Sequence, residues 1–219
     1  MNITLNTYPF GKPKAVTLSY DDGRTYDRQL VELCNRYGVK ATFHLNCGFF
    51  GKEGYITAEE IGGRYKGHEV SVHTLTHPFL NHVPRERVCE EIRQDRINLE
   101  QAAGYPVKGM SYPFGAYDEE VMRLLRAQGI VYSRTTLATN SFDLPKDFLQ
   151  WHPTCHHNHH LLETTQRFLE VSGYLTMPLL YVWGHSYEFP RDDNWEVMED
   201  FLRLVSGKDE IWFATNMEI

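Results

Sequence analysis

The sequence is short of the features that announce several common kinds of protein. Its four cysteines, Cys34, Cys47, Cys89 and Cys155, are widely spaced and form no CxxC pair, which argues against a thiolate zinc knuckle or a disulfide framework. No apolar run is long enough to cross a bilayer, and the opening MNITLNTYPFGKPKAV lacks a basic segment followed by an apolar one. As written, the chain is expected to be cytoplasmic and to have no membrane segment. Basic residues are outnumbered, 22 Lys and Arg against 29 Asp and Glu for a net charge of -7, and no block of them occurs. Nucleic acid is therefore excluded as a leading partner, because neutralising its phosphates needs a basic face. Pro/Gly/Ser-rich linkers, low-complexity tracts and sequence repeats are also missing. A chain of 219 residues can remove about 70% of its unfolded surface from water, so residues 1–219 are read as a single domain with one core.

What is present is an alternation of short apolar runs with longer helical patterns. Strands are expected at Ala15 to Tyr20, Ala41 to Asn46, Glu69 to His73, Lys108 to Tyr112, Ile130 to Arg134, Phe148 to His152, Leu179 to Gly184 and Ile211 to Ala214, each rich in β-branched or aromatic residues and bounded by turn residues. Helices are expected at Thr25 to Tyr37, Thr57 to Tyr65, Pro84 to Ala103, Asp118 to Gln128, Leu161 to Ser172 and Asn194 to Ser206. Gly38, Gly104 and Gly129 follow three of them, where a left-handed residue commonly ends a helix. The alternation predicts a parallel α/β fold, a distorted (β/α) barrel of about seven to eight strands. Strand count alone does not separate a closed barrel from a doubly wound sheet.

Chemically able residues collect after these strands. Asp21 and Asp22 follow the first, His73 ends the third with His77 four residues on, Ser111 to Gly115 ends the fourth, and His185 follows the seventh. In a parallel β/α fold the carboxyl ends of the strands share one face, so residues distant in sequence converge there. SYDDG reads either as an Asp-rich turn and helix cap or as a divided pair, one carboxylate holding a cation and the other free as a base. HTLTH is read as a helical turn that sets two imidazoles on one face, suited to a borderline divalent ion or equally to a structural pair. Together Asp22, His73 and His77 offer three ligands and an open position, the pattern of a catalytic metal site.

The order SYDDG, HTLTH, SYPFG, YVWGH resembles the NodB-homology polysaccharide deacetylases, carbohydrate esterase family 4, whose motifs run TFDDG, H(S/T)xxH, RxPxG and a late LxH. The resemblance extends from about Leu18 to His185. It implies a distorted β/α barrel that removes N-acetyl or O-acetyl groups from sugars. It further implies Asp21 as general base, Asp22, His73 and His77 as ligands of a divalent metal, most commonly zinc, the backbone N–H of Phe114 as an oxyanion donor, and His185 as proton donor to the leaving group.

The sequence departs from this pattern at Ser111, where the family has an Arg that pairs with the catalytic Asp. Arg134, ending the neighbouring strand candidate, is the proposed replacement, with an ordinary surface Arg as the alternative. The family's carboxylate that orients the late His is here Asp143 or Glu188. The segment WHPTCHHNHH holds five of the eleven His; His152 or His156 is the one expected to face the cleft. Tyr112, Trp183 and other aromatics flank the proposed site, where such rings either stack on sugars or, as is commoner for any one of them, pack in the core. Three readings follow: a metal-dependent deacetylase of acetylated carbohydrate, an allantoinase-like amidohydrolase on a small amide, and a non-catalytic carbohydrate-binding relative. These motifs do not encode the particular sugar or the oligomeric state.

Overall fold

The computed structural model describes residues 6–173 and 175–219. Its strands are β1 (Lys14–Asp21), β2 (Thr42–Leu45), β3 (Glu69–Val72), β4 (Gly109–Ser111), β5 (Tyr132–Arg134), β6 (Cys155–His156), β7 (Leu179–His185) and β8 (Ile211–Phe213). Between them run α1 (Asp27–Arg36), α2 (Ala58–Arg64), α3 (Arg85–Ala103), α4 (Glu119–Ala127), α5 (Leu161–Glu170), α6 (Glu188–Asp192) and α7 (Trp195–Val205). All pairings between strands are parallel, in the order β5-β4-β3-β2-β1-β7-β6, with β8 against β1. The result is a curled half-barrel of seven strands plus one.

Both faces of the sheet are buried, and they differ in chemistry. Val16, Leu18 and Tyr20 of β1, Phe43 and Leu45 of β2, and Val70 and Val72 of β3 point outward into one large apolar cluster with the helices. Alternate residues point inward, as the two-residue period of a strand requires. Along that inner face the Ser19 hydroxyl accepts from Arg134, the Thr17 hydroxyl accepts from Asn216, and Tyr132 donates to Glu69 at 2.7 Å and to Ser71 at 3.1 Å. Burial pushes the Glu69 carboxyl above its usual range, opposed by the donors of Met217, Tyr132 and Thr42. Gly109 makes room for the Tyr132 ring, since a Cβ there would lie 2.1 Å from it.

β1 is the axis of the arrangement. Its first half pairs with β8 and its second half with β2, while β7 runs along its other side from Ala15↔Leu179 to Asp21↔His185. This register places His44, Asp21 and His185 side by side at the carboxyl end of the sheet.

The expected strand Phe148 to His152 is not a strand. Phe148–Gln150 is a 3-10 turn capped by Asp147, whose Oδ1 accepts from the Leu149 amide at 2.9 Å. Trp151 alone pairs with β5, giving its N–H to Ser133 and taking that of Thr135. Pro153 has no N–H with which to continue a ladder. The chain crosses instead to β7, where Thr154 donates to Tyr181 and the short β6 begins. That crossing spans the gap between the edges β5 and β6, so the barrel is bridged rather than fully laddered. α3 leaves Ile97 exposed and buries Val88, Glu91, Ile92, Asp95 and Leu99, so two acids lie on its core face. α6, directly after β7, was not expected.

Candidate active site

β1 ends at Asp21, and Asp22 turns away from it with a φ of 79°. Consecutive carboxylates thereby separate. Asp21 is buried under the mouth of the sheet, whereas Asp22 is partly open to solvent. Asp21 accepts a hydrogen bond from Ser111 Oγ at 3.0 Å and a charged one from the fully buried Arg134 guanidinium. Arg134 is fixed in turn by donation to Ser19 Oγ and to the Thr135 carbonyl, both at 2.9 Å, and its guanidinium lies 4.3 Å from the Trp183 ring centroid. Burial would raise the Asp21 pKa, but Arg134, with His73, His44 and His185, outweighs it and holds the carboxylate ionised well below the usual range. The guanidinium missing at position 111 is thus supplied from β5, the next strand around the sheet.

His73 and His77 lie on a loop, not on a helical turn as expected. Thr74 and His77 have φ values of 68° and 57°, and Pro78 disfavours right-handed helix at the residue before it. The loop is held from beneath by two buried acids of α3. Glu91 accepts from the Thr76 amide at 2.7 Å and its hydroxyl at 2.6 Å; Asp95 accepts from the amides of His73 at 3.1 Å and Cys47 at 2.7 Å. Burial raises the Asp95 pKa to about 7. The Asn46 amide donates to the carbonyls of His73 and Thr74. Glu91 and Asp95 were missed in the sequence, although acids at core positions of the 88-92-99 stripe are a readable sign.

The Nε2 atoms of His73 and His77 stand 3.1 Å apart, and 3.5 and 3.6 Å from Asp22 Oδ1. Those edges match the roughly 3.3 Å expected between ligands that share one tetrahedral ion. The donors also have the right protonation. His73 Nδ1 lies 3.0 Å from the Ser111 carbonyl, which can only accept, so Nδ1 carries the proton and Nε2 presents its lone pair inward. Burial lowers the His73 pKa to about 3, keeping the ring neutral. The residues therefore fit a divalent cation of the zinc type.

His185 comes to the same mouth from β7. Its Nδ1 lies 3.3 Å from Glu188 Oε2, and its amide donates to that oxygen at 3.1 Å. Burial opposes a charge on His185, but Glu188, Asp21 and Asp22 outweigh it and raise its pKa. Of the two orienting carboxylates considered, Glu188 reaches His185; Asp143 instead accepts from the Ser141 hydroxyl at an exposed turn. Phe114 sits in a left-handed turn with a φ of 57°, its ring stacked on Phe79 at 3.9 Å and edge-on to His77 at 4.4 Å.

Four expected substrate contacts lie elsewhere. Tyr112 is 1% exposed and its hydroxyl is committed to the Leu149 carbonyl at 2.7 Å. His152 bonds Thr135 Oγ1 and lines a separate cavity of about 290 Å³ with Asp143, Lys146 and Asp147. Trp183 is 8% exposed and forms the wall behind Arg134. His156 contacts Glu188 rather than the open cleft.

A parallel half-barrel with an Asp-His-His triad at the carboxyl ends of its strands, beside an ionised carboxylate, has the parts that metal-assisted hydrolysis requires. Comparison with known proteins gives this class its family: the polysaccharide deacetylase family model matches residues 10–133, more than half of the chain, and the chain belongs to that family. Chitin deacetylase 1 of Cryptococcus neoformans is 25% identical over 138 residues, 62% of this chain and 28% of that protein. The chain spans less than half the length of the curated relatives it matches. Among solved structures, the fold resembles the Xyl-CE4 domain of a multidomain xylanase from the hindgut metagenome of Trinervitermes trinervoides, with a TM-score of 0.65, 18% identity and coverage of 94% of this chain and 88% of that one. It also resembles a family 4 acetyl xylan esterase from Clostridium thermocellum in complex with a cobalt ion, with a TM-score of 0.64, 15% identity and coverage of 93% and 89%.

Proposed function

We propose that this protein is a metal-dependent deacetylase, releasing acetate from an N-acetylated or O-acetylated sugar. The observation that carries the reading is the Arg134–Asp21 pair set beside Asp22, His73 and His77, with Asp21 Oδ2 3.9 Å from His73 Nε2. A divalent cation held by Asp22, His73 and His77 would supply Lewis acidity, making water more acidic and an acetyl carbonyl more electrophilic. Asp21, kept ionised by Arg134, takes the proton of the attacking water. The Phe114 N–H is the proposed donor to the developing oxyanion. His185, oriented by Glu188 and favoured in its charged form, delivers a proton to the leaving nitrogen or oxygen; an amine leaves only when protonated.

A carbohydrate-binding relative without catalysis would need neither the buried Arg134–Asp21 pair nor a raised His185. The relocated guanidinium accordingly favours the enzyme. Among the described residues no helix is long and apolar enough to cross a membrane.

The test is elemental analysis of purified protein followed by acetate release from N-acetylglucosamine oligomers and acetylated xylan. Bound divalent metal, turnover on one of these, and loss of about 10²–10⁴ in kcat for Asp21→Asn with metal retained are expected. A metal-free active protein, or an Asp21→Asn variant as active as wild type, overturns the proposal.

A further inference from the structure

The His-rich segment after Trp151 brings two imidazoles, which the reaction above leaves without a role, against Glu188 in a second cluster. His156 Nε2, His157 Nε2 and Glu188 Oε2 meet there at 3.1 and 3.4 Å from the carboxylate oxygen. By distance alone these atoms could hold a second ion. Protonation decides against it. His156 Nδ1 accepts the Asn158 amide N–H at 3.2 Å, so in the neutral ring the proton sits on Nε2, the nitrogen 3.1 Å from Glu188 Oε2. A nitrogen that carries a proton has no lone pair for a metal.

The rest of the segment holds this arrangement in place. The Asn158 side chain donates to Asp192 at 2.8 Å and accepts from Asn194 at 2.6 Å, tying the turn to both ends of the α6–α7 junction. His157 is 2% exposed and is sandwiched between Tyr20 and Phe189, with centroids at 5.6 and 4.3 Å. It enters only because residue 184 is glycine, where a Cβ would lie 2.0 Å from its Nδ1. Arg191 approaches the other Glu188 oxygen at 3.5 Å. The Glu188 carboxylate is thus fixed by groups from β6, β7 and α6.

We propose that His156 is a positioning residue for the proton donor: by donating from Nε2 to Glu188, with its tautomer set by Asn158, it fixes the carboxylate that aims His185. This inference rests on the reading of His185 as proton donor. A donor matters in proportion to the basicity of the leaving group, so the network acts on amide substrates and is dispensable where the leaving group departs unprotonated.

The experiment compares kcat on an N-acetylglucosamine oligomer with kcat on 4-nitrophenyl acetate, whose phenolate leaves without a proton. It uses wild type, His185→Ala, His156→Ala and His156→Gln, with zinc content measured for each. For His185→Ala the amide rate falls far more than the aryl ester rate. For His156→Ala the same selective loss is expected, smaller and roughly 10-fold or more, with KM unchanged and partial recovery in His156→Gln, which keeps an N–H donor. Equal losses on both substrates in His156→Ala assign it a merely structural part and overturn this inference alone. Equal losses in His185→Ala overturn the proton-donor reading itself. Loss of a second bound zinc in His156→Ala makes the cluster a metal site and likewise overturns the inference.

Discussion

Two clusters in this molecule have the same composition, two imidazoles and one carboxylate, and similar spacing. In one, Asp22, His73 and His77 lie 3.1 to 3.6 Å apart; in the other, His156 and His157 stand 3.1 and 3.4 Å from Glu188. The difference lies at the far ring nitrogen. His73 Nδ1 meets a carbonyl, which forces the proton outward and frees Nε2, whereas His156 Nδ1 meets an amide N–H, which forces the proton inward. A backbone partner several ångströms from the centre therefore decides whether a cluster presents lone pairs to a cation or protons to a carboxylate. Residue types and distances alone do not separate the two.

The largest expected effect separates the clusters directly. His77→Ala should abolish stoichiometric zinc binding, while Glu188→Gln should leave it intact; zinc content after dialysis, measured by plasma mass spectrometry, reads both. Equal zinc loss in the two variants would erase the distinction drawn above.

Arg134→Ala probes the carboxylate beside the first cluster. It leaves Asp21 buried without its cation, which costs about 3–5 kcal/mol of stability, and turnover should fall steeply with metal retained. Adding Ser111→Arg to that variant restores a guanidinium from β4 and should recover part of both losses, read by calorimetry and acetate release. Turnover unchanged in Arg134→Ala would dismiss its role.

The smallest effect concerns the shell behind the first cluster. In Asp95→Asn the side-chain NH₂ must face either the His73 amide or the Cys47 amide, so one of two buried donors loses its acceptor. Zinc affinity should weaken by about 10- to 100-fold, measured by competition with a chromophoric chelator. An unchanged affinity would mean that Glu91 and Asn46 hold the loop by themselves.

Much of this was legible in the chain. The period-two pattern of VTLSYD, the helices closed by Gly38, Gly104 and Gly129, and the four ordered motifs all report local preferences, and the structure keeps nearly every element they imply. What failed to show has an identifiable cause in each case. Phe148 to His152 has strand-like residues, but Asp147 caps a turn and Pro153 stops the ladder. HTLTH has helical spacing, yet its shape is dictated by Glu91 and Asp95, residues that belong to no motif and sit on a different element. Tyr112 lies at the end of the correct strand, but its hydroxyl is taken by the Leu149 carbonyl, on the far side of the loop.

The sequence by itself determined the alternation of strand and helix, and hence that Asp21, Asp22, His73 and His185 share one edge of a parallel sheet, because strand period and βα order are properties of neighbouring residues. Only the tertiary structure decided which guanidinium serves Asp21, which carboxylate serves His185 and which imidazoles can accept a cation. Those outcomes depend on the register between strands far apart in the chain and on the hydrogen-bond partner each buried ring nitrogen meets. Neither is written in any local stretch of residues.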